Sequence, residues 1–184
     1  MKIPLQAKKV FKGLIFDVYQ WEQEVFDGST QTYEMLSRAD TVDVIAVKGD
    51  KILLAHQSQP TQPDFYSLFG GRLEENENPL VGAKRELLEE SGLQSEDWEL
   101  FREYDLIHKI DWTIHTYSAR NCEYVSAQKL DPGEKIKIVE CTFEEFIEII
   151  LSKKYAGSGI LLDILYIKDD NEKLEAFKNR LFKI

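Results

Sequence analysis

Cysteine is scarce in this 184-residue chain. Cys122 and Cys141 lack a CxxC spacing, which excludes a disulfide framework or a cysteine-built zinc site and leaves buried or neutral thiols as the expectation. Long apolar runs are missing too. No stretch approaches about 18 consecutive apolar residues, and residues 1–12 carry basic side chains but no apolar signal region, so a soluble cytoplasmic protein is expected. Positive charge is in deficit. With 23 Lys+Arg against 33 Asp+Glu the formal net charge is -10, which repels duplex DNA, RNA and anionic membranes and excludes them as expected partners. The same repulsion acts on a small phosphorylated substrate, unless cations held locally reverse the field. The three histidines, His56, His108 and His115, show no metal-ligand spacing and are expected as strand or loop residues.

What is present describes a globular protein: 43% hydrophobic and 30% charged residues over a length suited to one domain and a short appendage. The first forty residues alternate apolar and polar side chains and read as antiparallel strands, with Asp27-Gly28 as a turn. Residues 42–47 and 51–55 read as a hairpin across Gly49-Asp50. Residues 60–78, rich in Pro, Gly, Asn and Glu, read as a functional loop. Asn78-Pro79 then signals a helix that Gly92 stops. Strands are expected near residues 98–107, 112–124 and 135–141. Thr142 and Glu145 form a capping box for a helix over 143–153, and one or two further helices follow over 161–167 and 174–182. No internal repeat, low-complexity tract or linker interrupts this order.

The chemistry is concentrated in the helix after the loop. Glu86 and Glu90 lie at i and i+4 on one face, with Glu89 beside them, while Leu80, Ala83 and Leu87 form the stripe that packs on a sheet. Such an acidic stripe, expected to face away from the core, is either a solvated face or a site for a hard divalent cation. A cation removes the mutual repulsion and also the clash with the helix dipole.

The wider spacing is more specific. Gly71, five residues, Glu77, seven residues, Arg85-Glu86-Leu87, one residue, Glu89-Glu90, one residue and Gly92-Leu93 together resemble the Nudix box at every fixed position. The resemblance implies an α/β fold, a Nudix α/β/α sandwich with a mixed central sheet. It divides the chain into an N-terminal antiparallel β extension, residues 1–40, and a Nudix hydrolase domain, residues 41–184. It implies Mg²⁺, with Mn²⁺ as the other candidate, held by Glu86, Glu90, Glu89 and the Gly70 carbonyl, with Glu89 also a candidate water-orienting base. Gly71, Glu77, Arg85 and Gly92 match positions that support the loop, and Glu77 with Arg85 reads as a structural ion pair ahead of a catalytic one.

Outside the box the chain resembles the ADP-ribose and nucleotide-sugar pyrophosphatase branch, which implies a homodimer built through the N-terminal strands. It also implies a nucleobase stacked on aromatics near the interface, for which Tyr19, Trp21 and Phe26 are candidates. Trp112 is a weaker one. The branch's distant catalytic glutamate points to Glu134, after Asp131-Pro132-Gly133, with Glu140 as a weaker candidate and a plain exposed carboxylate as the alternative. Gln59 stands where relatives often carry a substrate-binding arginine, and Leu68-Phe69-Gly70 where a proline-alanine pair is common. These departures favour a nucleoside diphosphate linked to some moiety other than ribose. The expected activity is hydrolysis of that diphosphate to a nucleoside monophosphate and a phosphorylated product. A nucleoside triphosphate pyrophosphatase and a non-catalytic nucleotide-sensing module are the alternatives.

Overall fold

The computed structural model describes residues 2–60 and 62–184, so Met1 and Thr61 lie outside it. Runs of β-branched and aliphatic residues build the strands: β1 (Lys8–Lys12), β2 (Asp17–Glu24), β3 (Thr30–Ser37), β4 (Thr41–Lys48), β5 (Lys51–Gln59), β6 (Gln62–Ser67) and β7 (Phe69–Arg72). Helix α1 (Pro79–Ser91) follows, then β8 (Leu93–Gln94), β9 (Asp97–Tyr104), β10 (Ile110–Asp111), β11 (Ile114–Arg120), β12 (Glu123–Tyr124) and β13 (Lys135–Cys141). Three helices close the chain: α2 (Phe143–Leu151), α3 (Gly159–Ile167) and α4 (Asn171–Phe182).

The central sheet runs β13-β5-β4-β11-β9, with β6 paired to β5 and β7 to β4. It is mixed, because β4 and β11 are parallel while the other pairings are antiparallel. Both faces are apolar and both are covered. Val42, Val44, Leu53, Phe69 and Tyr117 pack with Ala83 and Leu87 of α1 on one face. On the other, Ile45, Ile52 and Leu54 pack with Phe146 and Ile150 of α2, Ile160 and Ile164 of α3, and Leu181 of α4. This is the α/β/α sandwich expected of the sequence. Strands β1, β2 and β3 form a second sheet that β10 joins in parallel at Leu36 and Ser37.

Two expectations need correction. The stretch read as loop contains β6 and β7, because both lie antiparallel against strands already in the core and take their hydrogen bonds from them. Its Pro and Gly content hid them. The acidic stripe of α1 does not all face outward either: Glu90 is 7% exposed, turned in against β7, where its Oε2 accepts the Gly70 N–H at 2.7 Å.

Candidate active site

Three elements bring the site together. Asn78 starts α1 by accepting the Leu80 N–H, and Gly92, at φ +71°, ends it by donating to the Leu88 carbonyl, so the helix is one rigid platform for Glu86, Glu89 and Glu90. Strand β7 passes beneath it. Gly70 takes φ +150°, which a side chain rarely adopts, and a Cβ there would collide with the Val42 carbonyl of β4. At Gly71 a Cβ would sit 2.6 Å from Glu86 Oε1, so glycine is what lets that carboxylate lie on the strand. The third element is the segment before β13, which presents Lys129, Asp131 and Glu134 to the same cleft of about 980 Å³.

Arg85 organises the acidic side. Its Nε and Nη2 each donate to a Glu77 oxygen at 2.9 Å, while Nη1 donates to Glu86 Oε1 at 2.8 Å and to Glu89 Oε2 at 3.2 Å. Nη2 also reaches the Arg72 carbonyl at 3.2 Å, so one guanidinium ties the loop to both helix acids. It holds the Glu77 carboxyl below its usual range. Burial does the opposite to the other acids. Glu86 is pushed up by desolvation, against the pull of Arg85 and with the help of Glu89 and Glu134. Glu90 is pushed up to about 8, first by desolvation and then by the charges of Glu86, Glu134 and Asp43. Glu134 thus lies close enough to both helix acids to repel them.

These carboxylates share too few positive neighbours to be a finished ion-pair network. Among the described residues no three His, Cys, Asp or Glu side chains already close round an ion. The donor set nevertheless fits a hard cation: the half-buried Glu86 and the buried Glu90, both pushed up, share an open cleft with Glu134, and all their ligating atoms are oxygen.

The opposite wall is basic, and reasoning from sequence missed it. Arg38, between β3 and β4, lies over the rings of Trp112 at 4.8 Å and Phe16 at 5.6 Å, and its Nε is buried with no hydrogen-bond partner among the described residues. Desolvation and the nearby Arg72 both lower its pKa. Two guanidiniums thus stand together, with Lys12, at the edge of the cleft. The rings that hold Arg38 come from β10–β11 and the β1–β2 turn, so no local motif signals it.

Other expected residues lie elsewhere. Trp21 packs beside Tyr33 with ring centroids 6.0 Å apart, and Phe26 is fully exposed at the β2–β3 turn; neither lines the cleft of a single chain. Gln59 is partly buried, its amide 3.4 Å from Gln57 Oε1, and does not line it either. His56 stacks on Tyr66, and His115 Nδ1 meets Glu103 at 2.7 Å, away from the helix acids. Cys122 and Cys141 are buried thiols, pushed up by burial to about 11 and about 12.

A glycine loop braced by a bidentate Arg–Glu pair beneath a helix carrying three acids defines the class, and residues 37–159 match the NUDIX domain. The chain belongs to the Nudix hydrolase family, whose members act on small nucleotide substrates and generally use divalent metals. The "Methanol dehydrogenase activator" of Bacillus methanolicus is 27% identical over 168 residues, covering 89% of this chain and 91% of that protein. The "ADP-ribose pyrophosphatase" of Bacillus subtilis (strain 168) is 24% identical with the same coverage. A crystal structure of an ADP compounds hydrolase superposes with a TM-score of 0.72 at 17% identity, over 91% of this chain and 94% of that one. No helix among the described residues is long and apolar enough to cross a membrane.

Proposed function

We propose that this chain is a divalent-metal-dependent pyrophosphatase of the ADP-ribose or nucleotide-sugar type, releasing a nucleoside monophosphate and a phosphorylated product. The observation that carries the reading is the polarity of the cleft. Mutually repelling acids, the buried Glu90 and the half-buried Glu86 and Glu134, share the cleft with Arg38, whose Nε has no hydrogen-bond partner among the described residues, and with Arg72. Such a cleft suits a diphosphate: its acids would hold divalent cations that offset the phosphate charge, and its guanidiniums would take phosphate oxygens. The relative named ADP-ribose pyrophosphatase supports the substrate class.

Glu86, Glu90 and the Gly70 carbonyl would hold Mg²⁺ or Mn²⁺, with Glu89 as a further ligand. A metal held there would supply charge neutralisation at the phosphoryl oxygens and make hydroxide available near neutral pH. The chain's own residues do the rest. Glu134 takes the proton of the attacking water, Arg85 keeps Glu86 and Glu89 aimed, and Arg38, stiffened between two rings, orients the substrate without losing much rotamer freedom.

The 1–40 extension is read as a dimerisation unit of a cytoplasmic homodimer. It carries Val10, Phe11, Leu14 and Phe26 as exposed apolar side chains, and pairing of two copies is what would bring Trp21 to a cleft. Sedimentation across a dilution series tests this, and a monomer at micromolar concentration would overturn it.

The activity is tested by product formation from ADP-ribose, ADP-glucose, GDP-mannose, diadenosine polyphosphates and nucleoside triphosphates, with Mg²⁺, Mn²⁺ or chelator. Metal-dependent cleavage of a diphosphate-linked compound is expected, and a panel left intact while a nucleotide binds would replace the enzyme with a sensing module. Glu86→Gln and Glu90→Gln should each remove most of the activity and leave the far-ultraviolet circular dichroism unchanged. A second reading, activation of a dehydrogenase, has in its favour the 27% identity to the protein named methanol dehydrogenase activator. Rate enhancement of a purified methanol dehydrogenase on adding this chain tests it.

A further inference from the structure

The segment between β12 and β13 crosses the C-terminal end of α1 and is stitched to it. Val125 and Ser126 donate their N–H groups to the Gly92 carbonyl at 2.9 and 3.3 Å, and the Lys129 N–H donates to the Glu89 carbonyl at 2.7 Å. Gln128 adds a side-chain link of a different kind. Its Nε2 donates to the Glu90 carbonyl at 2.5 Å and to the Ile136 carbonyl at 3.3 Å. A primary amide has two N–H donors, so this one group joins the turn of α1 that carries Glu90 to strand β13, which Glu134 immediately precedes. Leu130 packs into the core beneath, and the Glu134 N–H donates to Asp131 across the Gly133 turn. Residues 131–133 themselves are exposed, so the Gln128 amide is a direct side-chain link from α1 to β13 across a stretch otherwise held by the Glu134–Asp131 turn bond and by the pairing of β13 with β5.

We propose that Gln128 is a positioning residue: it sets the distance between Glu134 and the acids of α1. The inference rests on the reading of Glu134 as the group that takes the water's proton. A base works only within hydrogen-bond reach of its proton, and a displacement of about 1 Å costs on the order of a hundredfold in rate. The carbonyl of Glu90 lies in the last turn of its helix, where acceptors are otherwise short of donors, so Gln128 also contributes some stability.

The test uses Gln128→Met, which keeps the length and loses both donors, and Gln128→Ala, alongside Glu134→Gln and the Q128M/E134Q double variant in the full chain. Steady-state kinetics are measured on the best substrate of the panel, and Mn²⁺ binding is measured by electron paramagnetic resonance. Glu134→Gln should lower kcat about 10²- to 10⁴-fold. Each Gln128 variant should lower kcat about 10- to 100-fold, with KM and the Mn²⁺ affinity held within about twofold. The double variant should be no slower than E134Q alone, because Gln128 acts through Glu134. Full activity in E134Q would overturn the reading of Glu134 and the proposal with it. An inactive E134Q beside a fully active Q128M would overturn the proposal alone. So would multiplying defects in the double variant, or a Mn²⁺ affinity that falls with Q128M.

Discussion

Arg85 is the side chain on which the local geometry turns, because its five donors meet Glu77, Glu86, Glu89 and the Arg72 carbonyl. A lysine cannot reproduce that fork. Arg85→Lys is therefore expected to lose about tenfold or more in kcat and about 1–3 kcal/mol of stability, read by kinetics and urea unfolding. A stability change under about 0.5 kcal/mol would show that the bidentate pair with Glu77 is not holding the loop. At Gly71 the expectation is narrower. Gly71→Ala pushes Glu86 off the strand, so Mn²⁺ affinity should fall while the unfolding midpoint stays near wild type; unchanged affinity would mean that Glu86 has room to move aside. The fixed spacing from Gly71 to Leu93 made these residues legible in the sequence. The burial of Glu90 was not, because helical periodicity sees only α1 and not the strand β7 that covers it. Arg38 was invisible for a related reason: its aromatic walls come from remote segments, and an isolated arginine before a strand carries no signal.

Among the elements, the helices were the easiest to read, since their stops and starts are written in side chains. Asn78 caps α1, and Thr142 with Glu145 forms the complete capping box of α2. Thr142→Ala should cost about 1 kcal/mol in urea unfolding and leave kcat unchanged, since α2 lies on the sheet face away from the cleft. A fall in kcat would mean that this face is coupled to the site. The short strands were harder. β6 and β7 contain Pro63, Gly70 and Gly71, residues that argue against a strand in isolation, and they form because β5 and β4 supply ready partners. The same applies to β10, whose two residues pair with Leu36 and Ser37 of β3, 74 residues earlier in the chain.

For the molecule as a whole, the buried acids make stability depend on pH and metal together. Glu90 takes up its proton near pH 8 when folded but near 4.5 when unfolded, so between those values the folded state holds more protons and stability falls as pH rises. Asp43, pushed up to about 6 by burial, adds the same sign over a lower window. Chelated protein should therefore show a melting temperature that drops between about pH 5 and pH 8, and saturating Mn²⁺ should remove most of that slope while releasing protons. A chelated protein whose melting temperature rises steadily across that window would show that Glu90 is ionised without cost. The net charge of -10, readable from composition alone, hides this local effect.

The parallel contact of β4 with β11 has a consequence in time. It is closed at its end by Asp40 and Thr113, which stand 73 residues apart in the chain, and β5, the Nudix box and α1 all lie inside that span. Closing so long a loop is slow compared with forming a hairpin or a helix turn. The acids of α1 can acquire their helical spacing early, but their burial against a completed sheet waits for that closure. On refolding from urea, helical signal should therefore return before enzymatic turnover, and the lag should lengthen in variants that weaken the join between Asp40 and Thr113.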